Sequence, residues 1–258
     1  MSGLPKPYYE DGSVTIYHGD AREILPGIPG RGIDLLLTDP PYGVGYVTAR
    51  RPRSHELVKP IAGDSSLEVL RAVGPELDRT LADERHAYVF ASSMRVGEAT
   101  DALPWPVKNV LVWDKGEAGS VGDLAAGYGV NWEAVLYAVK GRRAFTDGKR
   151  PRAILRYPWS GTRDPVHPTV KPVGLLSSLI ERSSLTGETV LDPFMGSGTT
   201  LRAAKDLGRK AIGIEISEEY CAVAAERLAQ EVLPLTAGPV AADPSAETSG
   251  GDRVPLWS

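Results

Sequence analysis

The chain has 258 residues, enough for one large domain or two small ones with a substantial buried core. It is 42% apolar and 24% charged with no apolar run near the roughly 18 residues of a membrane span, and its single cysteine, Cys221, excludes disulfide staples and a cysteine zinc site. The net charge of −4 argues by itself against a nucleic-acid partner, but the uneven placement of that charge along the chain argues for one. A cytoplasmic, reducing setting is expected, since Met1–Ser13 is too polar and too rich in Pro and Gly for a secretory leader.

Val14–Tyr17 reads as a short strand ending at His18-Gly19-Asp20, followed by a helical stretch from Ala21 to Leu25. Ile33–Thr38 is a near-continuous apolar run, the pattern of a strand covered on both faces of a parallel sheet. It stops at Asp39-Pro40-Pro41-Tyr42, because neither proline can donate to a ladder. Residues 43–63 are rich in Gly, Arg and Pro and read as a long loop. Leu67, Leu70, Val73, Leu77 and Leu81 have helical spacing within 66–82. Ala87–Phe90 reads as a strand, Ser92–Leu103 as a helix, and Val110–Trp113 and Ala134–Val139 as further strands flanking a Gly-rich loop. After a basic stretch, Val173–Arg182 is helical.

The clearest unit follows: strand Thr189–Leu191, a glycine turn, helix Thr199–Leu207, Gly208 as a stop, strand Ala211–Glu215 and helix Glu218–Gln230. From about Leu233 the chain is Ala, Pro, Gly, Ser and acid, which predicts a disordered tail over 233–258 behind a single domain of residues 1–232. The alternation of strands and helices predicts a doubly wound, mostly parallel α/β sheet.

Asp192-Pro-Phe-Met-Gly-Ser-Gly-Thr-Thr200 lies where a strand meets a helix. Glycines there let the backbone approach a ligand, and the helix start offers unpaired N–H groups. Nineteen residues after Gly196, Glu215 ends the next strand, where an acid can take both hydroxyls of a ribose. The loop lacks the lysine of a P-loop, which argues against a nucleoside triphosphate. A bare Gly-x-Gly also serves as a plain tight turn; with both acids in place, a dinucleotide or S-adenosylmethionine fits.

Asp39-Pro40-Pro41-Tyr42 separates those two ligands. An exocyclic amine on a nucleobase is a poor nucleophile, because its lone pair is delocalised into the ring. A carboxylate and a rigid backbone carbonyl can accept its two hydrogens and orient the lone pair toward a methyl donor. Asp39 and the carbonyl of Pro40 supply those acceptors, and Tyr42 offers a face on which an extruded base stacks. The bland alternative is a Pro-Pro strand end with Tyr42 covering the core edge.

Together the two motifs resemble the amino-methyltransferases of DNA, which move a methyl group from S-adenosylmethionine to adenine N6 or cytosine N4. With Asp39–Tyr42 preceding the glycine loop, the order is similar to the circularly permuted β class. The resemblance spans about residues 14–230 and implies a Rossmann-like methyltransferase fold with an antiparallel edge strand. Val112–Lys115 and Asn131–Lys140 resemble the family's later sheet motifs, and His18-Gly19-Asp20 its acidic turn. His167-Pro-Thr169-Val-Lys171-Pro172 is similar to the motif that precedes its glycine loop. The implied catalytic residues are Asp39, Pro40, Pro41 and Tyr42. The implied cofactor contacts are Asp20, Asp39, His167, Thr169, Lys171, Asp192, Phe194, Gly196, Ser197, Gly198, Thr199 and Glu215, with Lys171 on the methionine carboxylate. No metal is expected.

The charge is segregated. Lys140–Arg163 carries +7 and Arg50–Lys59 carries +3, so the remainder of the chain carries −14. Such clustering reads as a phosphate footprint on double-stranded DNA. It makes Arg50, Arg51, Arg53, Arg142, Arg143, Lys149, Arg150, Arg152 and Arg156 the candidate DNA contacts within recognition segments 43–63 and 141–166. Tyr157 and Trp159, interleaved with the second cluster, either wedge beside the vacated base position or pack on the sheet edge. The 141–166 segment is short for the family's target-recognition region, so the 43–63 loop or a second subunit of a homodimer is a candidate to share that task. The sequence leaves open whether a cognate restriction endonuclease exists.

Cytosine C5 methylation needs a cysteine nucleophile, and Cys221, mid-helix, reads as a packed small residue. The first residue of the tetrapeptide is aspartate, more usual in the family for adenine, so adenine N6 is the expected target and cytosine N4 the alternative. Amide methylation in protein or RNA resembles this motif with asparagine in its place. From other classes, a non-catalytic DNA-binding module keeps the fold without turnover, and a nicotinamide dehydrogenase has no use for Asp39–Tyr42.

Overall fold

The computed structural model of the chain describes residues 3–41, 67–116, 128–159 and 170–230. The expected loop at 43–63 and the expected tail from Leu233 lie outside them.

The chain opens with β1 (Tyr9–Glu10), β2 (Val14–His18) and α1 (Ala21–Ile24, continued by a 3-10 turn at Leu25–Gly27). There follow β3 (Ile33–Thr38), α2 (Glu68–Thr80), β4 (Leu81–Ala91), α3 (Val96–Asp101), β5 (Val107–Asp114), β6 (Trp132–Lys140) and β7 (Ile154–Arg156). It closes with α4 (Val173–Ser183), β8 (Thr189–Asp192), α5 (Thr199–Asp206), β9 (Lys210–Glu215) and α6 (Glu218–Ala229). The strands form one sheet in the order β1-β2-β9-β8-β3-β4-β6-β5-β7.

β2, β9, β8, β3 and β4 run parallel, and β1 is an antiparallel edge strand. Antiparallel pairing also occurs inside the sheet, where β6 opposes both β4 and β5, while β7 runs parallel to β5. Because β6 is reversed, its first residues share a rim with the last residues of β3, β4, β5, β8 and β9.

The continuous apolar run of β3 is explained by cover on both faces. Leu35 and Leu37 face the core under α4, α5 and α6, while Leu36 faces the core under α1, α2 and α3. All three are at most 1% exposed, and burial of each contributes roughly 1.5–3 kcal/mol. β3 continues into the α2 layer and β8 into the α5 layer on the opposite face. Their adjacent carboxyl ends therefore make a topological switch point, the place where open α/β sheets bind ligands.

Three boundaries differ from the sequence expectation. β4 begins at Leu81, six residues before the expected Ala87, because its polar first half (Asp83-Glu84-Arg85) hides the strand pattern. Leu81 thus belongs to β4 and ends α2, its N–H donating to Leu77 O. The helix expected from Ser92 to Leu103 is confined to α3, as Ser92–Arg95 form a turn closed by Arg95 N–H to Ser92 O at 3.0 Å. β1 and β7, two and three residues long, carry too little pattern to be read.

Candidate active site

At the switch point the glycine turn is built mainly from backbone. Gly198 has φ +77°, and a Cβ there would lie 2.7 Å from Ala224 Cβ, so only glycine lets α5 start against α6. Gly196, φ +50°, has open space where its side chain would be. Its N–H donates to Glu215 Oε2 at 3.0 Å, and Ser217 N–H donates to Oε1 at 2.8 Å. Burial pushes the Glu215 carboxyl up against the pull of these backbone donors. Each carboxylate oxygen keeps a further lone pair, so the acid can still accept from a ribose diol. Arg227 reaches across from α6 to Thr199 Oγ1 at 2.7 Å and to Ser197 Oγ at 3.4 Å.

Asp192 ties this turn to its neighbour. It is 2% exposed and accepts from Thr38 Oγ1 at 2.7 Å and from Phe194 N–H at 3.2 Å. Burial pushes its carboxyl up to about 7, against the lowering effect of the Thr38 and Thr200 hydroxyls. Thr38 is the last residue of β3, so one buried hydrogen bond holds the start of Asp39-Pro40-Pro41 beside the glycine turn.

The Asp39 side is built from charge instead. Lys171, just ahead of α4 and 8% exposed, donates to Asp39 Oδ2 and lies 3.3 Å from Glu133 Oε2. Lys115 donates in turn to Glu133 Oε1. The four groups alternate in sign, Asp39–Lys171–Glu133–Lys115, across the rim from β3 to β5. The Lys171 ammonium lies 5.0 Å from the Phe90 ring centre and 5.8 Å from that of Trp113; Lys115 lies 4.9 Å from Trp113. Burial by itself depresses the Lys171 ammonium, but Asp39 and Glu133 more than offset it and the net shift is upward. Burial likewise raises Glu133, and the two lysines outweigh it, leaving that carboxyl below its usual range.

The structure thus brings together Asp39, Pro40, Pro41, Lys171, Asp192, Phe194, Gly196, Ser197, Gly198, Thr199 and Glu215 at one end of the sheet. Asp20 joins them beside Glu215, since Gly19 N–H donates to Glu215 O at 2.9 Å. The Asp20 carboxylate is engaged locally: it caps α1 through Arg22 N–H at 2.8 Å and pairs with the Arg22 guanidinium, which holds it below the usual range. Lys171, expected on the methionine carboxylate, has its ammonium on Asp39 and Glu133. Tyr42, His167 and Thr169 lie outside the described residues.

Sequence reasoning gave no role to Glu133, Lys115 or Arg227, although the first two lie in stretches that resemble the family's later sheet motifs. The first two had a signal: each is a charged residue abutting an apolar strand run, at the end that faces the rim. Cys221, read as a packed residue, is fully buried, its thiol pushed up to about 12 by desolvation.

The basic stretch separates into two kinds of residue. Lys140 donates to the carbonyls of Asp78 and Leu81 and secures the end of α2, and Arg143 pairs with Glu188 at 3.2 Å. Arg142, Lys149, Arg150 and Arg152 are exposed and have no ion-pair partner among the described residues. Arg156 lies 4.0 Å from Asp114. Arg50, Arg51 and Arg53 lie outside the described residues. Tyr157 and Trp159 are partly buried against the core, and their backbone N–H groups bond to Asp114 O at 3.3 Å and Lys115 O at 3.1 Å. Of the two readings, the described geometry has the sheet-edge packing.

Comparison with known proteins agrees with this arrangement. A family model described as DNA methylase, of the N6/N4 class, matches residues 33–226. YubD of Escherichia coli (strain K12), a chain named as a methylase, is 36% identical over 214 residues, covering 82% of this chain and 88% of that one. The DNA adenine methyltransferase YhdJ of Escherichia coli (strain K12) is 30% identical over 262 residues, covering 88% and 86%. Among solved structures, the M1.HpyAVI–SAM complex matches with a TM-score of 0.64 and 27% identity over 84% of this chain and 100% of that one. With a family match across most of its length and the paired turns at its switch point, the chain belongs to the S-adenosylmethionine-dependent DNA methyltransferases that act on adenine N6 or cytosine N4.

Proposed function

We propose that the target is the N6 amine of adenine, in a base turned out of duplex DNA. Amine methylation at this rim is supported by the Thr38–Asp192 hydrogen bond at 2.7 Å, which sets the aspartate-led turn against the glycine turn. The aspartate at position 39 and the name of the relative YhdJ, a DNA adenine methyltransferase, favour adenine over cytosine.

The residues present fit the family's cofactor: Gly196 leaves an open approach and Glu215 keeps acceptor capacity beside it. Glu215 would take the ribose hydroxyls, the Gly196–Thr199 turn would pass close to the nucleoside, and Asp20 and Phe194 would flank it. When bound, S-adenosylmethionine supplies an electrophilic methyl group. Asp39 and the Pro40 carbonyl accept the two amine hydrogens, which draws the nitrogen lone pair out of conjugation and aims it. Lys171 is a positioning residue in this scheme. It fixes the direction of the Asp39 carboxylate, and Glu133 and Lys115 fix Lys171. The alkylated nitrogen then releases one proton to water. Lys149, Arg150, Arg152 and Arg142 would hold backbone phosphates, whereas Arg143 serves the fold.

Transfer of labelled methyl into DNA, followed by nucleoside analysis, tests the reading. Labelled 6-methyladenine is expected. Labelled 4-methylcytosine alone would move the target to cytosine, and cofactor binding without any transfer would leave a DNA-binding module.

A further inference from the structure

A cavity lies away from the rim, between α4 and strands β4 to β7. It has a volume of about 840 Å³, within the roughly 300–1,000 Å³ of small-ligand pockets. Its lining on β4 and β6 is the pair Tyr88 and Tyr137, which face each other in the ladder. Tyr88 is three residues below Ala91 at the rim, so the pair sits about 10 Å down the sheet at the usual strand rise.

One wall is aromatic: the rings of Tyr137 and Phe145 stack with centres 5.5 Å apart and planes at 29°. The hydroxyl of Tyr88 is satisfied by Ser183 Oγ at 2.8 Å. Tyr137 is 8% exposed, and among the described residues its hydroxyl has no hydrogen-bond partner. A phenol donor with no protein partner in an open cavity is free to donate to whatever fills it. Desolvation accordingly pushes the Tyr137 phenol up to about 12. At the mouth stand Lys149, Arg150 and Arg152, with no ion-pair partner among the described residues; Arg182 is opposed by Asp147 at 3.8 Å.

We propose that this cavity binds a nucleotide unit, an aromatic heterocycle carrying phosphate, at a site separate from the catalytic rim. The heterocycle packs against the partly exposed Phe145 ring and accepts from the Tyr137 hydroxyl, and the phosphate meets the cations at the mouth. An aliphatic acid would use neither the ring wall nor so many cations. The same chemistry is offered by an unpaired nucleotide of a DNA strand and by a free mononucleotide. Binding here does not depend on which base the rim methylates, and it is read as affinity rather than methyl transfer.

Calorimetry on the full chain, with each deoxynucleoside monophosphate and with a short single-stranded oligodeoxynucleotide, tests it. Tyr137→Phe is expected to weaken binding about tenfold, the loss of one good hydrogen bond, while the thermal midpoint stays equal or rises because no protein partner is lost. Ala153→Trp, which crowds the cavity from its exposed lining, is expected to abolish the same binding. Monophosphate binding sensitive to both variants assigns the site to a free nucleotide. Oligonucleotide binding with that sensitivity, and none for monophosphates, assigns it to a strand. Probes that fail to bind, or bind equally well to both variants, overturn the proposal.

Discussion

The two halves of the rim meet the same demand, precise placement of polar groups, by different means. Around Gly196–Thr199 and Glu215 the work falls to backbone N–H groups, and the geometry is local to one strand–turn–helix–strand unit. Around Asp39 it falls to side chains from well-separated parts of the sequence, Lys115, Glu133 and Lys171, joined with it as an alternating chain of four charges. The backbone cradle is sensitive at its glycines and at Glu215. The charge chain is sensitive at every member, since removing one strands its neighbours without a counter-charge.

Asp39→Ala should break the comparison most visibly. Labelled methyl incorporation is expected to fall at least about a hundredfold, the scale of losing one preorganised polar contact at a reacting centre. Cofactor affinity, measured by calorimetry, should stay within a few-fold. Equal loss of both would merge the two halves into one functional unit.

Lys171→Met removes the centre of the charge chain. A destabilisation of about 3–5 kcal/mol is expected from denaturant unfolding, the usual effect of breaking a buried ion pair from one side. Adding Glu133→Gln should recover part of it, and additive losses would show that the chain is not coupled. In the other half, Glu215→Ala should weaken cofactor binding roughly tenfold or more while DNA affinity is unchanged. A parallel loss of DNA affinity would indicate a folding defect instead.

In the basic stretch, Arg150→Ala or Arg152→Ala should reduce the salt dependence of DNA binding by about one unit of slope each. Arg143→Ala should leave that slope alone and lower the thermal midpoint, because its partner is Glu188.

The last test, of pH, falls on Asp192. Its folded carboxyl titrates near 7, above the ordinary 3.8, so the folded state binds the extra proton between these values. Its contribution to stability is therefore full below about 3.8 and is lost as pH rises through about 7. Asp192→Asn keeps an acceptor for Thr38 and Phe194 and should flatten the decline of the thermal midpoint between pH 5 and 8. An unchanged decline would place the titrating group elsewhere.

The backbone half was readable from the chain because its parts are contiguous. The glycines, the acid nineteen residues on and the flanking strands all fall between Thr189 and Glu215. Asp39–Tyr42 was equally local. The partners of Asp39 were not, since no periodicity links positions 115, 133 and 171, and only the reversed β6 brings Glu133 to the rim. The basic stretch misled in part for the same reason. Composition counts Lys140 and Arg143 with the phosphate contacts, but their partners Asp78 and Glu188 lie about 60 and 45 positions away in sequence. β7 hides in that stretch because three residues carry no alternation.

The reversal of β6 also decides where the protein can change without refolding. β5 ends and β6 begins on the same side of the sheet, with Asp114 beside Trp132 and Lys115 N–H bonded to Asn131 O at 2.9 Å. The span between them is thus clamped at its base, next to Lys115 and Glu133. A change of length between these ends would leave the register of β5 and β6 intact, so the junction can take an insertion without moving Lys115 or Glu133 from the rim.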